Sequence, residues 1–117
     1  MNDNTYNNFL SQANVQMRKG MLVYCVLLLL KDGKVYTSEI ISSLQNAKLI
    51  VVEGTLYPLL NRLAKDKILT YEWQESELGP PRKYYWLTDD GINLLRELEL
   101  SYKKLNNSVK SLEKGKN

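Results

Sequence analysis

The chain has 117 residues, 44% hydrophobic and 25% charged, a length suited to one hydrophobic core and a composition that excludes wholesale disorder. Its 16 Lys and Arg against 13 Asp and Glu leave a net charge of +3, a mild bias that permits a polyanionic partner without requiring one. One cysteine and no histidine exclude an intrachain disulfide, the usual zinc site and any nucleophile–histidine pair, so no metal or cofactor is expected and an enzyme is the least favoured class.

In chain order, Tyr6, Phe9, Leu10, Ala13 and Met17 recur at helical spacing and predict a short amphipathic helix over residues 5–17. Gly20 is expected to interrupt it. Met21 to Leu30 is then apolar throughout, about half the length a membrane-spanning helix needs, and predicts a helix inside the core that stops at Asp32-Gly33. Arg18 and Lys19 imitate the start of a secretory leader. Lys31-Asp32-Gly33-Lys34 stands where a small-residue cleavage site belongs, so a cytoplasmic protein with no membrane partner is expected.

Thr37 is expected to cap the next helix, with Glu39 near its positive end and Ile40, Ile41 and Leu44 facing inward as far as Asn46. After an apolar connector, Leu49 to Val52, the leucines at 56, 59, 60 and 63 make an i, i+3, i+4, i+7 stripe, while Tyr57, Asn61, Arg62 and Lys65 point elsewhere. Pro58 removes one hydrogen bond and crowds the Gly54 carbonyl, so this helix is expected either to start late or to bend.

Leu69, Tyr71 and Trp73 alternate with Thr70, Glu72 and Gln74, and Lys83 to Leu87 follows the Gly79-Pro80-Pro81 loop, which predicts a hairpin. Thr88 before Asp89 and Asp90 marks the start of a last helix, 89–114, which at roughly twenty-five residues is about 37 Å long and too long for the rest of the chain to cover. Along it Leu95, Leu98, Tyr102, Leu105, Val109 and Leu112 follow the 3–4 spacing of a coiled-coil seam. A projecting apolar seam implies a partner, most simply a second copy about a two-fold axis.

The fold class expected is mainly α with a small β-hairpin. It is a winged helix-turn-helix core over 18–88 within a single domain of 1–117, with dimerisation helices at 5–17 and 89–114. In that arrangement the second helix of the pair lies in the major groove. Tyrosine donates to phosphate, asparagine pairs bidentately with adenine and arginine with guanine, so Tyr57, Asn61 and Arg62 have suitable chemistry, with Thr55 and Lys65 as phosphate contacts. Ser38, Arg82 and Lys83 complete the candidate DNA-contacting set. Blander roles stand beside these: Arg62 paired with Glu39 or Asp66, Lys65 simply solvated, and Arg82 and Lys83 guarding an edge strand. Cys25, in the central apolar helix, reads as a small buried hydrophobe rather than a redox sensor.

Two segments carry a family resemblance. Glu53-Gly54-Thr55-Leu56-Tyr57-Pro58-Leu59-Leu60-Asn61-Arg62-Leu63, followed by Pro81-Arg82-Lys83-Tyr84-Tyr85-Trp86-Leu87-Thr88-Asp89-Asp90-Gly91, resembles the signature of PadR-like transcriptional regulators. The resemblance implies a bacterial homodimeric repressor that recognises an inverted repeat in double-stranded DNA and releases it on binding a small aromatic effector. It also implies dimerisation through the first and last helices and a wing that reaches toward the minor groove. In the drug-responsive branch of that family an aromatic residue at the place of Tyr102 stacks on the ligand, which makes Tyr102, Phe9 and Met17 candidate ligand contacts. Filling of the dimer core is the alternative for all three. Lys67 stands where the family usually has glycine, which puts its left-handed turn in doubt at roughly 1 kcal/mol. Glu75 and Glu77 beside Arg82 and Lys83 confine wing contacts to the wing's base. A winged-helix interaction module without specific DNA binding is the competing function.

Overall fold

The computed structural model describes residues 2–49 and 52–116, and their order is α1 (Asp3–Leu29), β1 (Val35–Tyr36), α2 (Thr37–Asn46), α3 (Glu53–Lys65), β2 (Leu69–Gln74), β3 (Arg82–Leu87) and α4 (Asp89–Lys114). The antiparallel sheet has the order β1-β3-β2, with Leu69 opposite Leu87 at its inner end and Gln74 opposite Arg82 at its outer end. The short β1 is an addition to the predicted hairpin, since two residues are too few to show an alternating pattern. It pairs Val35 with Tyr85 and Tyr36 with Tyr84. Ile50 and Val51 of the predicted connector lie outside the described residues.

The core gathers Leu22, Val26, Leu27 and Leu30 from the end of α1, Ile40 and Leu44 from α2, and Leu56, Leu60 and Leu63 from α3. Leu69 and Tyr85 of the sheet close it. Leu94, Leu95 and Leu98 at the start of α4 pack on its edge. The rest of α4 and the first two-thirds of α1 run past this core, which gives a molecule 60 Å long with a radius of gyration of 17.5 Å. A compact domain of about 100 residues has roughly 13 Å. The projection expected of α4 from its length is therefore present, and α1, longer than expected, adds a second one.

Gly20 does not interrupt α1. A mid-helix glycine costs about 1 kcal/mol relative to alanine, and apolar helical faces continue on both sides, so one 27-residue helix runs through it from the Asn2 cap. Nor does α3 start late: it begins at Glu53 and carries Pro58 inside it. The carbonyl deprived of a partner belongs to Gly54, which is exposed and free to be solvated. Thr37 is not the cap of α2 but its first residue. Tyr36 is the cap, its N–H donating to the Glu39 carboxylate at 3.2 Å, while the Thr37 hydroxyl donates to the Lys83 carbonyl at 3.1 Å and ties α2 to β3.

The two short helices end in the same way. Leu49 N–H donates back to Leu44 and Ile68 N–H to Leu63, each bond closing a left-handed turn at the lysine before it. Lys48 has φ 66° and Lys67 has φ 62°. Lysine thus holds the turn that glycine would take without strain. Directly after the second turn, the N–H of Thr88 donates to the Ile68 carbonyl, and the Thr88 hydroxyl donates to the Lys67 carbonyl at 2.6 Å while accepting from Gly91 N–H at 3.0 Å. A Cβ on Gly91 would lie 2.1 Å from the same Ile68 oxygen.

Two stability outcomes follow. Replacing Gly91 by alanine should lower stability by about 3 kcal/mol, because the backbone overlap outweighs the helix-propensity gain of about 1 kcal/mol. A raised melting temperature would contradict that contact. Lys67→Gly should instead raise stability by about 0.5–1 kcal/mol in urea unfolding, since relief of left-handed strain exceeds the entropy glycine adds to the unfolded chain.

Candidate nucleic-acid interface

On α3 the inward stripe fixes what faces out. Successive residues turn by about 100°, so Asn61 lies about 40° from Tyr57, whereas Arg62 lies about 140° from it. The structure divides the predicted contact set accordingly. Tyr57 and Asn61 face an open groove of about 640 Å³ between α3, the start of α2 and the sheet, which Ser38, Arg82 and Lys83 also line. Five candidates from three separate elements, α2, α3 and β3, are brought together there.

Thr55 and Arg62 are not among them. They line a second depression, about 420 Å³, between α3 and α1, together with Lys19 and Pro58. Lys65 is exposed in the last turn of α3. Among the described residues the one ion pair is Lys103 with Glu99 at 3.4 Å, so neither Glu39 nor Asp66 neutralises Arg62.

Within the groove the two wing cations are seated on aromatic faces. Arg82 and Lys83 are consecutive in β3 and therefore point to opposite sides of the sheet. The Arg82 guanidinium carbon lies 3.7 Å from the centre of the Tyr36 ring, and the Lys83 ammonium 3.9 Å from that of Tyr71, with Tyr85 and Trp73 at 5.1 and 5.4 Å. Tyr36 is anchored at both ends, its N–H bonded to Glu39 and its hydroxyl donating to the Gln74 side chain. Beside it the Tyr84 hydroxyl donates to the Glu72 carboxylate at 2.7 Å, and that carboxylate pushes the phenol above its ordinary value. Lys34 lies over Tyr84 and Trp86, the stacked pair on the same face.

Tyr36, Glu53 and Trp73 line the groove but were not singled out from the sequence. Trp73 read only as a strand former, Glu53 as part of a helix start, and Tyr36 fell in no predicted element; their spacing gives no sign that three elements converge on them. Beyond the groove the wing tip carries Glu75 and Glu77 and the fully exposed Leu78, so positive charge sits at the base of the wing and negative charge at its tip.

The candidate dimer seam also divides. Leu95 and Leu98 are partly buried on the chain's own core, whereas Leu105, Val109 and Leu112 are exposed, as are Tyr6, Phe9, Leu10 and Met17 of α1. Tyr102 stands at the boundary with its ring 5.5 Å from that of Tyr24. The three candidate ligand contacts are not gathered in one place within the chain. Phe9 lines a shallow depression on α1, Met17 is 70% exposed, and Tyr102 lies against Tyr24. Cys25 is half-buried against the core, and burial pushes its thiol up, away from the reactive thiolate. Among the described residues no cluster of His, Cys, Asp and Glu could hold a metal, and no helix is long and apolar enough to cross a membrane.

Comparison with known proteins bears on this arrangement directly. Residues 26–97 match the model of the transcriptional regulator PadR-like family, a span that runs from the last turn of α1 to the first turns of α4. A PadR-like transcription factor from Bacteroides fragilis is 57% identical, with 86% of this chain and 98% of that one aligned at a TM-score of 0.73. A PadR family regulator from Eggerthella lenta is 33% identical over 96% of this chain and 98% of its own, at a TM-score of 0.86. The PadR of Bacillus subtilis, solved in complex with operator DNA, is 25% identical over 67% of this chain and 45% of its own, at a TM-score of 0.61. No curated protein matches the chain.

Proposed function

The chain belongs to the PadR-like family of transcriptional regulators, and from that premise we propose that it is a homodimeric repressor that binds an inverted-repeat operator through the groove between α3 and the wing. The observation that carries this reading is the convergence of Ser38, Tyr57, Asn61, Arg82 and Lys83 on that one groove. Tyr57 and Asn61 occupy the outward arc of a helix that a major groove accommodates, where asparagine reads adenine bidentately and the tyrosine hydroxyl meets base edge or phosphate. Ser38, Arg82 and Lys83 supply donors from α2 and the wing beside that helix, and such donors fix its register on the phosphate backbone. Thr55, Arg62 and Lys65 flank the reading face and serve as phosphate contacts at its margin.

The capture of the Bacillus subtilis relative on operator DNA supports the same assignment. Two copies are needed to read an inverted repeat, and the exposed apolar residues of α1 and the far half of α4 supply a surface for pairing. An effector site formed by Phe9, Met17 and Tyr102 then belongs to the dimer, since the single chain does not assemble those residues. A small aromatic molecule there would act on the spacing of the two reading helices. The acidic wing tip favours the alternative of a protein-interaction module, which salt dependence separates from phosphate binding.

A fluorescent duplex from upstream of the protein's own gene, titrated against random competitor at two salt concentrations, tests the assignment. Saturable binding that survives the competitor and weakens steeply with salt is expected; salt-independent or absent binding would reject it. In the same assay Tyr57→Ala and Asn61→Ala should each weaken binding by about tenfold or more. Arg62→Ala should weaken it less, because Arg62 faces α1. For assembly, light scattering of Leu105→Lys with Val109→Lys should give a folded monomer, whereas Leu98→Lys should lower the melting temperature because Leu98 packs on the chain's own core. A dimer that persists in the double variant would place the interface elsewhere.

A further inference from the structure

We propose that Tyr36, Tyr71 and Trp73 are positioning residues for DNA binding: Tyr36 on one face of the wing, and Tyr71 with Trp73 on the other, hold the Arg82 and Lys83 side chains at the mouth of the groove that both line, in the orientation in which they meet phosphates. The inference rests on the DNA-binding reading above and extends it to residues that make no phosphate contact themselves. Long cationic side chains on a two-stranded wing are ordinarily free to sample many rotamers, and each one immobilised on binding lowers affinity. Here both cations are already seated. The Arg82 guanidinium carbon is 3.7 Å from the Tyr36 ring centre, and the Lys83 ammonium is 3.9 Å from the Tyr71 ring centre and 5.4 Å from that of Trp73.

The seats are themselves fixed. Tyr36 is the cap of α2, bonded through its N–H to Glu39 and through its hydroxyl to Gln74, the residue that faces Arg82 across the ladder. Lys83 faces Trp73 across the same ladder, and its carbonyl accepts from Thr37. The N-terminus of α2, the wing and both cations thus form one connected unit. An aromatic face holds a cation weakly and leaves much of it open, so a phosphate oxygen approaches the opposite side without displacing the ring. No carboxylate occupies either cation among the described residues, because Glu72 is engaged by Tyr84 and the one ion pair lies on α4.

This arrangement separates two quantities that a direct contact would change together. A residue that neutralises a phosphate contributes about 0.9 to the slope of log affinity against log salt. A ring that only orients that residue alters affinity at every salt concentration and leaves the slope unchanged. The test titrates the full-length protein against the fluorescent duplex from upstream of its own gene over a range of salt concentrations, with circular dichroism and melting temperature recorded for each variant. Tyr36→Leu, and Tyr71→Leu combined with Trp73→Leu, should each weaken binding by about three- to tenfold at the wild-type slope. Lys83→Gln, which removes one phosphate contact from each of the two copies on an inverted repeat, should reduce the slope by about two. Tyr36→Phe, which keeps the ring and loses only the hydroxyl, should bind nearly as wild type.

Unchanged binding in the leucine variants overturns the inference, and tighter binding would mean that the rings sequester the cations instead. A slope that falls as in Lys83→Gln, or a Tyr36→Phe variant as weak as Tyr36→Leu, overturns it too, since either assigns the effect to a displaced wing rather than to the ring. Wild-type protein that binds no duplex overturns the DNA-binding reading itself, and this inference with it.

Discussion

The carbonyl oxygen of Ile68 organises the molecule. It is where the turn after α3 ends, where the hairpin begins, and where the first turn of α4 comes down on the backbone, so close that residue 91 has room for no side chain. Three elements with different tasks meet at that atom: the helix proposed to read DNA, the wing beside it, and the helix proposed to join two copies. Thr88 locks them by donating to the two carbonyls it spans and capping α4 with the same hydroxyl. Because a packed joint of this kind has few alternative arrangements, the angle between α3 and α4 is set by backbone contact rather than by adaptable side chains. In a symmetric pair, rotation of one α4 against the other would be carried to the reading helices with little loss.

Much of this was legible in the chain. The existence and order of α2, α3 and both hairpin strands followed from apolar periodicity and turn residues, and the start of α4 from Thr88 with its two aspartates, whereas the first residues of α2, α3 and β3 did not. The 3–4 spacing marked the apolar stripe of α4, and the helical repeat of α3 already placed Tyr57 and Asn61 on one arc. The unity of α1 was not legible. The penalty of a single glycine is small, and nothing local says that the flanking faces will share one axis. The division of the leucine seam was hidden for a related reason: Leu95 and Leu105 look alike in sequence, and only the extent of the core decides which of them the chain covers with its own atoms.

The groove shows the same limit in sharper form. Residue chemistry nominated Arg82, Lys83, Tyr57 and Asn61, and the fold brings them together. It did not nominate Trp73, because an aromatic residue in a strand satisfies sheet propensity wherever it points, or Tyr36, because a two-residue strand leaves no pattern to read. Their significance comes from register, with Trp73 opposite Lys83 and Gln74 opposite Arg82. Register is set by pairing between strands rather than within them. Arg62 shows the converse, since its chemistry suits DNA while its side chain lines the depression between α3 and α1 rather than the groove.

The placement of tryptophan has an optical consequence. Both tryptophans of the chain are in the wing, Trp73 exposed in the groove beneath a lysine and Trp86 stacked on Tyr84, and neither long helix carries one. Tryptophan emission from this protein is therefore emission from the wing alone, divided between one indole open to quenching and one shielded by its neighbour. Events along the helical shaft are dark at that wavelength, while anything that settles into the groove does so against the chain's own built-in lamp.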